Sequence, residues 1–348
     1  MFQKLYKVFS NEIGIDLGTA NTLVYLKGHG IVINEPSVVV LNIKTGVIVA
    51  VGAEAKQMMG RTPAHLKTIR PLVDGVISDF EVTEEMLSYL IGKADKMSKK
   101  FFKPRVVIGV PTGITNVEAR AVYDAAKSAG AREVYLVEEP VAGAIGIHLP
   151  VEDPVGSVVV DIGGGTTDVA VIASGGIVHS KNLKIAGDKL NADITTYLKE
   201  EFKLLVGEKT AEAVKMAIGS VVQGDFMEAE VRGRDLLTGL PREVIVTDTD
   251  VREAIMPSIL QIVDTVKETL ETTPPEILAD ILQRGIVLLG GGAHIQGLST
   301  LLGETLNLPV YVAEEPLTAV ARGTGIILED IERYKSFLIE GHHASVPR

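Results

Sequence analysis

Residues 14–24 read GIDLGTANTLV, and residues 159–169 read VVDIGGGTTDV. Each stretch is an apolar strand, an aspartate, a glycine turn, a threonine and a second apolar strand. The matching positions keep one constant offset along the chain: Asp16 and Asp161, Gly18 and Gly163, Thr22 and Thr167, Val24 and Val169. Glycines permit close turns that a side chain would block. The repeat therefore predicts two related α/β halves, each opening with a strand, a tight turn and a strand.

Strands and helices alternate around these two stretches. Thr115 and Glu118 form a capping-box pattern that predicts a helix from there to about residue 128. The other predicted elements are strands over 106–110, 134–137 and 286–289, and helices over 142–147, 188–205, 251–270 and from Pro275 onward. The alternation favours layered α/β subdomains.

Composition excludes several classes of protein. The 348 residues carry a formal net charge of −11, which argues against nucleic acid as a partner because phosphate contacts need clustered cations. There is no cysteine, hence no disulfide framework and no thiolate metal site, which suits a reducing compartment such as the cytoplasm. The first twelve residues lack the continuous apolar core of a signal peptide. No apolar run approaches the roughly 20 residues of a spanning helix.

The two glycine turns predict a nucleotide site if the halves bring them face to face. A glycine-rich turn exposes backbone N–H groups to an anion, and these turns add the hydroxyls of Thr19, Thr22, Thr166 and Thr167 and the amide of Asn21. Asp16 and Asp161 would then hold a hydrated Mg²⁺, which binds through one or two carboxylates, waters and phosphate oxygens. The sequence contains no P-loop, GxGxxG, HExxH or GxSxG pattern, so a phosphate clamp of this type remains.

The chain resembles a known family along nearly its whole length. GIDLGTANT, VDIGGGTTD and LLGGGA (residues 288–293) are similar to the two phosphate motifs and the adenosine motif of the actin, sugar-kinase and DnaK-type superfamily. Within it, the runs VGAEAKQMMGRTP from Val51, IRPLVDGVISDF from Ile69, EEPVAGAIG from Glu138 and RGRDLLTGLPR from Arg232 resemble the MreB family of bacterial actins.

The resemblance implies an actin-like α/β fold of two pseudo-symmetric RNase H-like domains, each with a smaller subdomain and with the nucleotide in the central cleft. The implied division places residues 1–32, 68–144 and 316–335 in subdomain IA and residues 33–67 in IB. Residues 145–183 and 247–315 form IIA, residues 184–246 form IIB, and residues 336–348 are a tail.

The resemblance also implies ATP as the nucleotide, with GTP as the alternative, together with Mg²⁺. The phosphates would lie on Gly18, Thr19, Ala20 and Asn21 from one half and on Gly163, Gly164, Gly165 and Thr166 from the other. The nucleoside would lie along Gly187, Asp188, Gly290, Gly291, Gly292 and Ala293. Glu212 and Lys215, three residues apart on one helix face, would both reach the sugar hydroxyls.

Hydrolysis needs a group that orients water and accepts its proton. The resemblance assigns this role to Glu139, with Thr167 as its partner. The sequence alone does not separate Glu139 from Glu138, because either carboxylate would suit the start of a helix.

Two segments predict contact with a membrane surface. Phe101 and Phe102 lie between cations in KMSKKFFKPR (residues 96–105), expected to be a loop before the 106–110 strand, and such a segment favours anionic lipid. The family's membrane-insertion loop at this position supports that interpretation. Phe2, Leu5 and Phe9 have helical spacing opposite lysines and suggest a weak interfacial helix.

The resemblance therefore implies an ATPase that polymerises into membrane-associated filaments and organises peptidoglycan synthesis and rod shape. Its implied partners are further copies of itself in paired protofilaments, anionic lipid on the inner face of the cytoplasmic membrane, a membrane protein such as RodZ and the cell-wall elongation machinery. A plasmid-segregating actin-like ATPase and a small-molecule kinase of the same superfamily are the alternatives.

Overall fold

A computed structural model describes residues 10–98, 102–224 and 226–339. Its strands are β1 (Ser10–Leu17), β2 (Asn21–Leu26), β3 (Gly30–Pro36), β4 (Val39–Asn42), β5 (Val47–Val51), β6 (Leu66–Ile69), β7 (Leu72–Val73), β8 (Val76–Ile77), β9 (Phe102–Val110), β10 (Glu133–Glu138), β11 (Ser157–Ile162), β12 (Thr167–Ala173), β13 (Gly176–Leu183), β14 (Leu204–Leu205), β15 (Glu228–Asp235), β16 (Pro241–Thr247), β17 (Ile286–Leu289) and β18 (Val310–Val312). Its α-helices are α1 (Ala53–Met58), α2 (Phe80–Ser98), α3 (Asn116–Ser128), α4 (Glu139–Gly146), α5 (Gly187–Glu200), α6 (Glu208–Ile218), α7 (Asp248–Glu271), α8 (Pro275–Arg284), α9 (Leu298–Leu306) and α10 (Ala319–Glu329).

Two five-stranded sheets share one topology. Their strand orders are β10-β9-β1-β2-β3 and β13-β12-β11-β17-β18. In each sheet the first strand pairs antiparallel with the second and parallel with a later one. The register also repeats, since Leu17 faces Thr22 and Ile162 faces Thr167. The prediction of two related α/β halves from the sequence repeat is confirmed.

Smaller sheets extend from each half. The sheet β5-β4-β6 is built from residues 39–69, and the sheet β14-β15-β16 from residues 204–247. A two-stranded ribbon, β7-β8, precedes α2. The four-subdomain boundaries given above stay a prediction.

Most predicted helices occur where the local signals put them. Thr115 and Glu118 exchange both capping-box hydrogen bonds at the start of α3, and Thr247 and Asp250 do the same for α7. The prediction over 188–205 is wrong at its end, because α5 stops at Glu200 and residues 204–205 form β14. Lys203, which lies beyond the helix, has φ of 53°, a left-handed conformation that a continuous right-handed helix over 188–205 could not include.

Each half has its own apolar core, and a third cluster joins the halves around α4 and α10. This third cluster takes Val107 from the first large sheet and Val159 from the second. The helices cross closely at Gly146 and Gly323, where an added Cβ would meet backbone of the facing helix. Because Glu139 begins α4, this crossing positions it between the two sheets. Within the described ranges, none of the helices is long and apolar enough to cross a bilayer.

Candidate functional site

The two glycine turns face each other across the halves. A Cβ added to Gly164 would lie 2.6 Å from the Cβ of Ala20 and 2.9 Å from its N. A Cβ added to Gly165 would lie 2.6 Å from the Oγ1 of Thr19. Both contacts are closer than any side chain tolerates, so the absence of side chains lets the two backbones meet. The fold thus creates the juxtaposition on which a phosphate clamp depends.

Hydrogen bonds fix the first turn from behind. The Oγ of Ser37 donates to the carbonyl of Gly18 at 2.6 Å and lies 2.8 Å from the Oγ1 of Thr22. The Oγ1 of Thr19 accepts from the N–H of Gly75 at 3.1 Å. The turn from Gly18 to Asn21 is therefore held in place before any ligand arrives.

Hydrogen bonds connect the glycine turn of the second half to two helices. The N–H groups of Gly187 and Asp188 donate to the carbonyls of Gly163 and Gly164 at 3.1 and 2.8 Å. The Nζ of Lys215 donates to the carbonyl of Gly187 at 2.7 Å. Burial lowers the pKa of Lys215, although nearby carboxylates, first Asp188, oppose the shift. The predicted sugar-binding helix α6 thus lies directly beside the glycine turn.

The third glycine run closes another side of the same region. Gly290 has φ of 74°, and a Cβ there would lie 2.4 Å from the Oδ1 of Asp161. A Cβ added to Gly292 would lie equally close to the side chain of Ile162, and Ala293 is buried. The run of residues 290–293 therefore packs against the end of β11, beside the second glycine turn.

Buried and half-buried carboxylates gather between the turns. Burial raises the pKa of Asp16 to about 7, and burial together with the charge of Asp16 raises the pKa of Asp161 well above its usual range. Burial also raises the pKa of Glu139 strongly, reinforced by the charges of Asp168, Asp16 and Asp161. Carboxylates that repel one another in this way are an environment that a divalent cation would stabilise.

The residues around Glu139 explain its position. Asp16 pairs with Gly109 across β1 and β9, and a Cβ on Gly109 would lie only 3.4 Å from the Cγ of Glu139. Thr167, the predicted partner of Glu139, donates its hydroxyl to the carbonyl of Ile185 at 2.7 Å. Its oxygen lone pairs remain for accepting. Glu138 instead accepts from the N–H of Gly113 at 3.1 Å.

Asp168 is a site residue to which the sequence reasoning gave no role. Its Oδ1 accepts from the N–H of Thr112 at 2.7 Å and from the Nδ2 of Asn182 at 2.9 Å. Since Thr112 belongs to the first half, Asp168 ties the two halves together beside Glu139. The signal was present in the sequence, because Asp168 stands where the repeat has Leu23, a break in the apolar pattern.

The donor set fits Mg²⁺ held with a nucleotide better than a metal held by protein alone. In the part of the chain that the structure describes, no three His, Asp or Glu side chains are grouped to hold a metal ion. Asp16 and Asp161 offer two carboxylates, the number that Mg²⁺ uses when phosphate and water supply the remaining ligands.

The predicted membrane segments lie mostly outside the described residues. Phe2, Leu5, Phe9 and Phe101 fall there, as does the end of the tail. Phe102 begins β9, where its backbone pairs with Ser10, so the strand starts earlier than the predicted 106–110 and the expected loop is shorter. After a register shift, parallel pairing with β1 resumes at Arg105 and continues to Gly109.

Comparisons with known proteins agree with this arrangement. The sequence matches the MreB/Mbl protein family over residues 10–336. It is 51% identical over 328 residues to the cell shape-determining protein Mbl of Bacillus cereus, covering 94% of this chain and 98% of the relative. The structure resembles MreB5 of Spiroplasma citri bound to ADP, with a TM-score of 0.89, 38% identity, and coverage of 93% and 98%. It also resembles the MamK double helical filament, with a TM-score of 0.78, 26% identity, and coverage of 92% and 99%.

Proposed function

This chain belongs to the MreB/Mbl family, and from that premise we propose that it is an actin-like ATPase whose membrane-associated filaments determine cell shape. Two features carry the proposal: the two glycine turns face each other, and the half-buried Asp16 and the buried Asp161 lie beside them. The nucleotide-bound MreB5 and the filamentous MamK support nucleotide binding and self-association.

ATP is the proposed substrate, and its phosphates lie against the two glycine turns. Backbone N–H groups and hydroxyls of the turns bind the phosphate oxygens. Positioning these donors costs little free energy on binding, because Ser37 and Gly75 already fix the first turn. Glu212 and Lys215 bind the sugar, and residues 290–293 pass along the nucleoside. Asp16 and Asp161 hold Mg²⁺, which when bound neutralises charge on the phosphates.

Glu139 orients the attacking water and accepts its proton. Burial raises the pKa of Glu139, which makes its carboxylate a stronger base than an exposed glutamate. Gly109 leaves room beside its side chain, and the α4/α10 crossing fixes its backbone. Thr167, whose hydroxyl donates to the carbonyl of Ile185, is the proposed partner of Glu139. In the proposed four-subdomain division, this site lies in the central cleft.

The proposed filament is a homopolymer of paired protofilaments on the inner face of the cytoplasmic membrane. Phe101 and Phe102 insert among anionic lipids, and the segment from Phe2 to Phe9 adds a weak second contact. A membrane protein such as RodZ and the cell-wall elongation machinery are the proposed partners of the filament.

Electron microscopy of the purified protein on anionic liposomes tests the proposal. With Mg-ATP we expect membrane-bound filaments, and without nucleotide we expect none. The double variant Phe101→Ser/Phe102→Ser should lose co-sedimentation with liposomes. Phe80→Ser, at an exposed phenylalanine that starts α2, is the matched control and should keep it.

The alternatives give different results in the same experiment. Monomers that hydrolyse ATP at all concentrations and salts would overturn the filament and favour a kinase of the same fold. Filaments that form in solution and never bind lipid would overturn the membrane role and favour a segregation ATPase.

A further inference from the structure

Two cations of the first half reach across to carboxylates of the second. The Nζ of Lys56, on α1, lies 2.8 and 3.0 Å from the two carboxylate oxygens of Glu212 on α6. One Nη of Arg70, just after β6, donates to Asp188 at 2.8 Å, and the other contacts Glu208. The partners are separated by more than a hundred residues in sequence, so these pairs exist only when the halves are close.

Hydrogen bonds within the first half hold the backbone near both cations. The Oε2 of Glu35 accepts from the N–H of Ala53 at the start of α1 at 2.8 Å, and its other oxygen accepts from Lys93 at 2.8 Å. The carbonyl of Arg70 accepts from the Oγ of Ser78 at 2.8 Å. The backbone that carries Lys56 and Arg70 is therefore held in place within the first half, and the ion pairs join this backbone to the second half.

The three carboxylates border the nucleotide site. Glu208 and Glu212 are four residues apart on one face of α6, and the backbone of Asp188 is bonded to the second glycine turn. Without Lys56 and Arg70, this rim would present three negative charges beside an anionic ligand, with Lys215 as a cation of the second half near them. The cations of the first half thus make the rim compatible with a bound nucleotide.

We propose that Lys56 and Arg70, with Asp188, Glu208 and Glu212, form a clasp across the cleft that positions the sugar-side carboxylates and limits the rate of nucleotide release. The inference rests on the proposed function, since it takes residues 187–215 as the sugar side of the site. Lys56 and Arg70 are positioning residues and act through Glu212 and Asp188. For the nucleotide to leave, the halves must part and all three ion pairs must break.

The test measures dissociation of a fluorescent ADP analogue by stopped flow, chased with excess ATP. The side chains of Lys56 and Arg70 are 30% and 28% exposed, so each pair retards opening by a modest factor. We expect Lys56→Ala/Arg70→Ala to release the analogue about tenfold faster, with an unchanged melting temperature. The release rate of the wild-type protein should rise with salt, and that of the double variant should not.

Two further variants separate the clasp from general damage. The exchange Arg70→Glu/Glu208→Arg should recover part of the slow release that Arg70→Glu alone abolishes, because it restores the attraction between positions 70 and 208 but not the pair with Asp188. Lys267→Ala, which removes an exposed ion pair with Glu271 inside α7, is the matched control and should leave the rate unchanged.

Three outcomes would overturn the clasp. Equal release rates in wild type and double variant, with the analogue bound by both, would remove the clasp and leave the proposed function intact. Failure of the charge exchange to slow release again would show that the effect of Arg70 is not electrostatic. A wild-type protein that does not bind the analogue would overturn the proposed function, and the clasp with it.

Discussion

The crossing of α4 and α10 predicts a large effect from one added methyl group. A Cβ on Gly323 would lie 1.7 Å from the carbonyl oxygen of Ala142 and 2.5 Å from its carbon. Neither atom can rotate away, because both belong to helix backbone. Gly323→Ala therefore forces the two helices apart.

The distances set the size of the effect. Carbon and oxygen need roughly 3.3 Å, so the axes must separate by about 1.5 Å, a gap at which packed side chains lose much of their dispersion energy. We expect a cost of roughly 3 kcal/mol from overpacking, offset by about 1 kcal/mol because alanine favours a helix over glycine. The net loss in the free energy of unfolding is about 2 kcal/mol.

Urea unfolding followed by circular dichroism measures this loss. Gly92→Ala in α2 is the matched control, since a Cβ there meets no atom within 4 Å. It should stabilise the protein by about 0.5–1 kcal/mol. If Gly323→Ala stabilises the protein as Gly92→Ala does, the close crossing of the helices is refuted.

Three further changes test the site. Glu139→Gln should keep ATP binding and slow phosphate release by roughly 10²–10⁴-fold, while Glu138→Gln should not, and equal turnover in the two would reassign the base. Burial raises the pKa of Asp16 from 3.8 to about 7. Between pH 3.8 and about pH 7, the folded state without nucleotide or metal therefore holds a proton on Asp16 that the unfolded state has lost. The free energy of unfolding should then fall as the pH rises through this range. In urea titrations in EDTA, Asp16→Asn should reduce the slope of this fall by about 1.4 kcal/mol per pH unit. An unchanged slope would contradict the raised pKa of Asp16. Ser37→Ala removes the donor to the Gly18 carbonyl and should weaken ATP binding about tenfold by calorimetry; unaltered affinity would mean that the turn does not need this support.

The sequence was most informative where the signal is local. The strand, turn and strand repeat, the capping box at Thr115 and the strand over 286–289 depend on neighbouring residues, and the structure has all three. It failed at the end of α5, where the apolar spacing continues past Glu200 but the helix stops there and Lys203 beyond it is left-handed. Periodicity records which residues are buried, whereas the end of a helix depends on one backbone conformation.

The sequence by itself determined that there are two related halves with glycine turns, and hence the residue types of a phosphate site. Only the tertiary structure decided that Gly164 meets Ala20, that Asp168 holds Thr112, and that Lys56 and Arg70 pair with carboxylates of the other half. The physical reason is distance along the chain. A turn is fixed by interactions within a few residues, but a contact between the halves depends on how two complete sheets pack around α4 and α10, which no short stretch of sequence encodes.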